Sequence, residues 1–348
     1  MQLDMHYYGT YAMARAAGIK AAYAKDIATA AQYVDDSDTA AVELRDGTFL
    51  AGAATAHHPV NANNIDPHDQ RLVWIPFHFL PGNEGATFEE RLICRMDSPL
   101  AHQAIDHAMS QAEESYGLLL IGVVAHMYAD TFSHYGFSGI ASDVNGVDID
   151  SITPRIKSKE VLKYVMNKAG DFFEKRKADA ANLLRLGHGS VATYPDRPYL
   201  SWDFRYLDGR QSGTRDNPNT FRLACEKLHA MFRRVAETHE AFADKDAFIP
   251  FDKLGPVVTD ILLVEGAMQD RILAWRRAAD HGLLFGSPAE IPEYQPDQFL
   301  ADLNRIGNYS GTEARETFLY KFLLASKLHR NFVLNELLPR HGLDILVP

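Results

Sequence analysis

The sequence predicts a mainly α-helical bundle with one small β-hairpin inserted. Three observations carry that reading: an Ala-rich N-terminal segment closed by Gly18, a strongly apolar central segment around Leu118 to Val124, and a lone Asp46-Gly47 turn between short alternating runs.

Taken in order, Tyr7 to Ala17 reads as a helix with Gly18 as its stop, and Ala21 to Val34 as a second with Ile27 and Ala31 on one face. The second runs into the acidic cluster Asp35, Asp36 and Asp38. Val42 to Ala51 reads as the hairpin. From Ala56 to Gly82 the pattern is irregular, with His57-His58-Pro59, a Pro-flanked His68-Asp69 and an extended stretch from Trp74 to Gly82. Pro99 to Ala112 and Ser115 to Tyr135 are expected helices. Asp143 to Asp150 is expected as a polar loop, Ser158 to Arg185 as a helix, and Gly187 to Asn219 as a long loop. From Phe221 onward, four or five helices are expected, broken near Pro250, Pro288 to Pro296 and Gly307 to Gly311. The expected division is a helical metal-binding core over residues 1–220 with C-terminal helices 221–348 packed on it, or one continuous domain.

The 348 residues carry a formal charge of −11, from 46 acidic and 35 basic side chains. That balance disfavours nonspecific binding to nucleic acid and to anionic membranes. Cys94 and Cys225 stand alone, outside any CxxC pair, so thiolate zinc sites are excluded and two reduced thiols are expected, with one bridge between them as the alternative in an oxidising compartment. The first residues lack the charged and apolar regions of a signal peptide, and the apolar run Gly117 to Ala125 is too short to span a bilayer. The expected location is cytoplasmic, with leaderless export as the alternative.

The central chemical signal is His126, Asp130 and His134. On a helix, four residues turn about 40° and rise about 6 Å, so these three form one stripe. The preceding residues are apolar nearly all round, which makes the helix central and buried. Two imidazoles and a carboxylate on a buried helix need partners, and a bound cation satisfies all three. Their nitrogen and oxygen donors suit Zn2+, with Mn2+ or Fe2+ as alternatives.

Further candidate ligands are Asp4 and His6 at the first helix, and Asp35 and Asp36 at the end of the second. Carboxylates at that helix end oppose the dipole, and either a bound cation offsets them or they are solvated turn residues. His57 and His58 are adjacent on extended chain, so one of them at most faces a given metal. His78 reads equally as a core histidine or a ligand. His188 belongs to a loop with Asp196 and Arg197, from which a late ligand or a phosphate-binding guanidinium is expected. Arg71 is a second candidate for that anion-binding role. No GxSxG elbow, phosphate-cradling glycine loop, Rossmann glycine pattern or HExxH pair occurs.

The N-terminal ligand segment, the acidic pair after the second helix and His126-x-x-x-Asp130 followed by His134 together resemble the zinc-dependent phospholipase C superfamily, which includes single-strand-specific nucleases. That resemblance is motif-level and covers roughly the first 200 residues. It implies an all-helical bundle of the phospholipase C type that holds clustered zinc and cleaves phosphoesters. It further implies His126, Asp130 and His134 as central ligands, His6 with Asp35 or Asp36 as early ones, and His57 or His58 between. The run from His126 through Asp130-Thr-Phe-Ser-His134 to Gly139, with Tyr33 to Asp36 and Phe77 to Gly82, also resembles a bacterial family of unassigned function. This chain departs from the phospholipases in three ways. It begins with Met1 rather than Trp, its second central His falls four residues after the Asp rather than six, and it has no clear match for their later His-x-x-x-Glu pair. One or two ions are therefore expected.

The expected activity is hydrolysis of a phospholipid or another phosphodiester by metal-activated water, with Asp130 or one of Asp35 and Asp36 bridging or handling the proton and Arg197 or Arg71 steadying the phosphoryl oxygens. The alternatives are a non-catalytic metal-binding or partner-binding protein, and a metal hydrolase of amide or ester bonds.

Overall fold

The computed structural model describes residues 1–39, 41–57, 62–177 and 185–345. A turn of π-helix, Asp4–Gly9, runs directly into α1 (Thr10–Ala16), and Gly18 at φ +94° ends it as expected. After α2 (Ala21–Asp36) comes the hairpin, β1 (Ala41–Glu43) against β2 (Phe49–Ala51), with Val42 opposite Leu50 and Gly47 at φ +78° in the turn.

The stretch read as irregular and then extended holds α3 (Pro67–Phe77). Asp66 caps it, its carboxylate accepting from His68 N at 2.8 Å, and Pro67 sits at the first helical position, where no amide is needed. His68-Asp69 is therefore in the first turn of a helix, not in a loop. Pro76 lies inside the last turn of α3, and only from His78 onward does the chain leave the helix.

α4 (Phe88–Arg91) and α5 (Pro99–Ser110) lead to α6 (Gly117–His134), in which every residue except Leu118 is buried. α6 is the axis of the fold, flanked by α2, α3, α5 and two later helices, α8 (Asn217–Thr238) and α13 (Phe318–Phe332). Its closest neighbour is the Ala-rich α2. A Cβ on Gly122 would lie 2.5 Å from Ile27 O and 2.7 Å from Ala30 Cβ, so glycine lets the two backbones touch. That approach sets the C-terminal end of α2 beside the middle of α6, and with them Asp35 and His126.

The expected Asp143–Asp150 loop is instead one short 3-10 turn followed by β3 (Val147–Arg155), and the loop over 187–219 contains β4 (Ser201–Tyr206) and β5 (Arg215–Asp216). These form an antiparallel sheet in the order β3-β4-β5, with a register shift between Asp148 and Thr153. Trp202, Phe204 and Tyr206 point inward from β4 and build a separate apolar cluster with Phe79, Phe137 and Tyr194. α7 (Lys159–Lys177) follows β3.

The C-terminal part adds α9 (Phe251–Leu262), α10 (Met268–Asp280), α11 (Gln298–Ile306) and α12 (Gly311–Ala314) before α13, and α14 (Leu338–Arg340) after it. The main core is continuous through both ends of the chain: Tyr11, Ile27, Leu120 and Phe132 share it with Phe232, Trp275, Phe322 and Leu338. The protein is thus mainly helical with two small sheets, and among its described residues no helix is long and apolar enough to cross a membrane.

Candidate metal centre

Asp130 lies about one turn before the C-terminal end of α6 and is wholly enclosed, with imidazoles on both of its oxygens. His6 Nε2 is 3.2 Å from Oδ1, while His78 Nδ1 at 3.0 Å, His126 Nε2 at 3.2 Å and His134 Nδ1 at 3.5 Å surround Oδ2. The Met1 amino group also donates to Oδ1, and it lies 3.4 Å from both His134 Nε2 and Asp196 Oδ1. Asp35, one-third exposed, reaches in from the last turn of α2, 3.7 Å from His126 Nε2 and 3.9 Å from His6 Nε2. Asp196 closes the other side, with Oδ1 3.1 Å from His134 Nε2 and Oδ2 3.6 Å from His188 Nε2.

Four of the histidines share one pattern. His126 Nδ1–H donates to Ala31 O at 2.7 Å, His78 Nε2–H to Thr55 O at 2.8 Å, His134 Nδ1–H to His78 O at 2.9 Å and His188 Nδ1–H to Ala192 O at 2.7 Å. Each carbonyl fixes a tautomer, so the opposite nitrogen carries a lone pair and faces carboxylate oxygen. His78 Nδ1 and His126 Nε2, both lone-pair atoms, stand only 3.2 Å apart beside Asp130. His6, stacked on His126 at 3.7 Å between ring centres, has no hydrogen-bond partner on either nitrogen. Acceptors packed against acceptors need cations between them, and backbone carbonyls on the outer nitrogens are the usual support of metal-bound imidazole. The donor atoms fall into three groups with spacings within 4.8 Å: His6, His126 and Asp130; Asp35, His78 and His126; His134, His188 and Asp196. Nitrogen and oxygen donors of this kind fit a divalent transition metal such as zinc.

The cluster forms the floor of a cavity of about 550 Å³. Asp35, Asp36, Asp38, Asp297 and His57 contribute to its polar lining, and Trp74, Phe79, Leu186, Phe299 and Leu300 to its apolar wall. No Lys or Arg lines it among the described residues.

Not every expected residue arrives. Asp4 is buried but turned to Arg271, whose Nη1 lies 3.2 Å from its Oδ2, while Arg271 Nη2 donates to Gln2 Oε1 at 2.6 Å. Two residues on a helix point about 200° apart, so Asp4 and His6 cannot both face Asp130. Asp36 accepts from Tyr294 Oη and from Gln32 Nε2 at 3.0 Å, which places it on the cavity wall but outside the three ligand groups. His57 is held by Asp69, and His58 lies outside the described residues. The Arg197 guanidinium donates to Thr193 Oγ1 and Tyr199 Oη and does not line the cavity; Arg71 donates to Pro67 O at 2.6 Å. Neither arginine is placed to meet a phosphoryl group there. Asp196, which sequence reasoning tied only to its loop, is a full member of the cluster.

The electrostatics follow from burial and mutual contact. Burial penalises a charged Asp130, but His134, the Met1 amine, His126 and His6 outweigh it and hold the carboxyl well below its usual range. The Met1 amine is raised to about 10: burial alone would lower it, and Asp130, Asp196 and Asp35 reverse that. Burial, reinforced by neighbouring cationic groups, lowers His6 to about 4, and burial also takes His188 and the structural His329 to about 4.

These shifts predict a pH dependence for the metal-free protein. Between about 6.5 and 4 the unfolded chain protonates these three histidines and the folded chain does not, so stability falls as pH drops through that window. Asp36, raised to about 6 by burial, takes its proton earlier when folded and offsets part of the loss. The net expected slope is on the order of 1–3 kcal/mol per pH unit. Urea midpoints of chelator-treated protein between pH 7 and 4.5 measure it, and a flat or rising profile would contradict the burial of these rings.

This arrangement defines a mainly helical protein with a buried His/Asp cluster under a partly apolar cavity. The chain belongs to the family of unknown function DUF6765, whose model matches residues 1–337. No curated protein and no solved structure matches it.

Proposed function

We propose that this protein is a metal-dependent phosphoesterase of the zinc phospholipase C type, cleaving a phosphodiester that carries an apolar group. The observation that carries the reading is the set of four histidines that each give one N–H to a backbone carbonyl and turn a bare nitrogen toward Asp130, Asp35 or Asp196. Divalent metal held by those donors would supply electrophilic stabilisation of phosphoryl oxygen and acidify a water at neutral pH. The residues of the chain do the rest. Asp35 is the most exposed carboxylate of the ligand groups and faces the cavity, so it is placed to take the proton of the attacking water.

The cavity lining favours a diester over more highly charged substrates. With no Lys or Arg in the lining among the described residues and six aspartates around it, a dianionic monoester or an oligonucleotide meets repulsion that a singly charged diester largely escapes. Trp74, Phe79, Phe299 and Leu300 offer an apolar wall for an acyl or alkyl portion.

The test is turnover of phospholipid vesicles and of an alkyl p-nitrophenyl phosphodiester by zinc-loaded protein. Hydrolysis that is lost on chelation and restored by zinc is expected. Metal-loaded, folded protein that leaves both substrates intact across neutral pH would overturn the proposal.

A further inference from the structure

His57 lines the cavity yet belongs to none of the three ligand groups. Its Nε2–H donates to Asp69 Oδ2 at 2.6 Å, while Nδ1 has no partner although the side chain is only 2 % exposed. A ring oriented by a carboxylate through one nitrogen, with the other left bare, is built to exchange a proton with a reacting group. The backbone holds this dyad beside the metal cluster. Thr55 Oγ1 donates to Val34 O at 2.7 Å, and Thr55 O accepts from His78, so the segment leading to His57 is tied to both the end of α2 and a cluster histidine. Asp69 stands in the first turn of α3, the helix that His78 directly follows.

We propose that His57 is the general acid of the cleavage, with Asp69 as its positioning residue; the inference rests on the phosphoesterase reading above. As the water oxygen bonds to phosphorus and its proton passes to Asp35, the bond from phosphorus to the departing alcohol breaks. The electron pair stays on the alcohol oxygen, which takes a proton from His57 Nδ1. Asp69 keeps its bond to Nε2–H throughout, solvent supplies the proton that Nδ1 gives up, and Asp35 releases its proton to solvent. One water is consumed, and the products are an alcohol and a phosphomonoester.

The experiment compares octyl p-nitrophenyl phosphate, whose leaving group needs no proton, with octyl phenyl phosphate, whose leaving group does. Zinc-loaded His57→Ala and His57→Gln should lose about 10²- to 10⁴-fold in kcat on the phenyl ester and under about tenfold on the nitrophenyl ester. Asp69→Asn should show the same ordering, and its imidazole ¹⁵N spectrum should lose the Nε2–H signal bonded to carboxylate. Metal content should be unchanged in all three variants. An equal loss on both esters, or loss of metal on changing His57, would overturn the general-acid role while leaving the phosphoesterase reading intact. Wild-type protein inert toward both esters would overturn that reading, and the general acid with it.

Discussion

Asp130→Asn is expected to strip metal from the cluster and remove phosphodiester turnover while the helical fold persists. Both oxygens of Asp130 are shared among four histidines, and the side chain is fully buried. The amide keeps the shape but removes the charge and sets an N–H₂ group among nitrogen lone pairs. Taking one partner out of a buried, charge-paired network costs about 3–5 kcal/mol, which corresponds to about two to four orders of magnitude in metal affinity. Helix α6 itself is held by its apolar residues, so far-ultraviolet circular dichroism should be little changed. Turnover that survives in the variant would place the chemistry elsewhere.

The second large effect is expected at Arg271. Its guanidinium and the Asp4 carboxylate are each 1 % exposed, and burial raises the Asp4 pKa against the pull of Arg271. Arg271→Met leaves Asp4 buried without its partner and should destabilise the metal-free protein by about 3–5 kcal/mol in urea denaturation. Adding Asp4→Asn should recover much of that loss, because the uncompensated charge is then gone. The same contact pins Gln2 and Asp4 on either side of Leu3, and so aims His6 at Asp130. A loss under about 1 kcal/mol would mean that water reaches the pair.

The helices nearest the site were legible because their signals are local. Gly18 stops α1, Asp46-Gly47 turns the hairpin, and the spacing of His126, Asp130 and His134 places three donors on one buried face before any tertiary information enters. What failed was segments whose local signals conflict. Pro67 and Pro76 made α3 look like loop, although Asp66-Pro67 is a helix start when the proline occupies the first position. β4 alternates buried Trp202, Phe204 and Tyr206 with Asp203 and Arg205, but six residues inside a polar stretch give a weak period of two.

The rest of the cluster depends on long-range packing, which a single sequence does not display. His134 meets Asp196 across 62 residues of chain, and the carbonyls of Ala31 and Thr55 that set the tautomers carry no side-chain signature at all. Asp36 and Asp35 are indistinguishable in sequence. The Tyr294 hydroxyl, from more than two hundred residues away, joins Gln32 in holding Asp36 on the wall and leaves Asp35 for the cluster.

The most direct test of the central claim is metal content by mass spectrometry on tag-free wild type and Asp130→Asn. One or more equivalents of zinc, manganese or iron in the wild type, absent from the variant, is the expected result. A folded wild type that carries no metal and cannot be reloaded would contradict it, and the histidines would then be a buried hydrogen-bond network held together by protons.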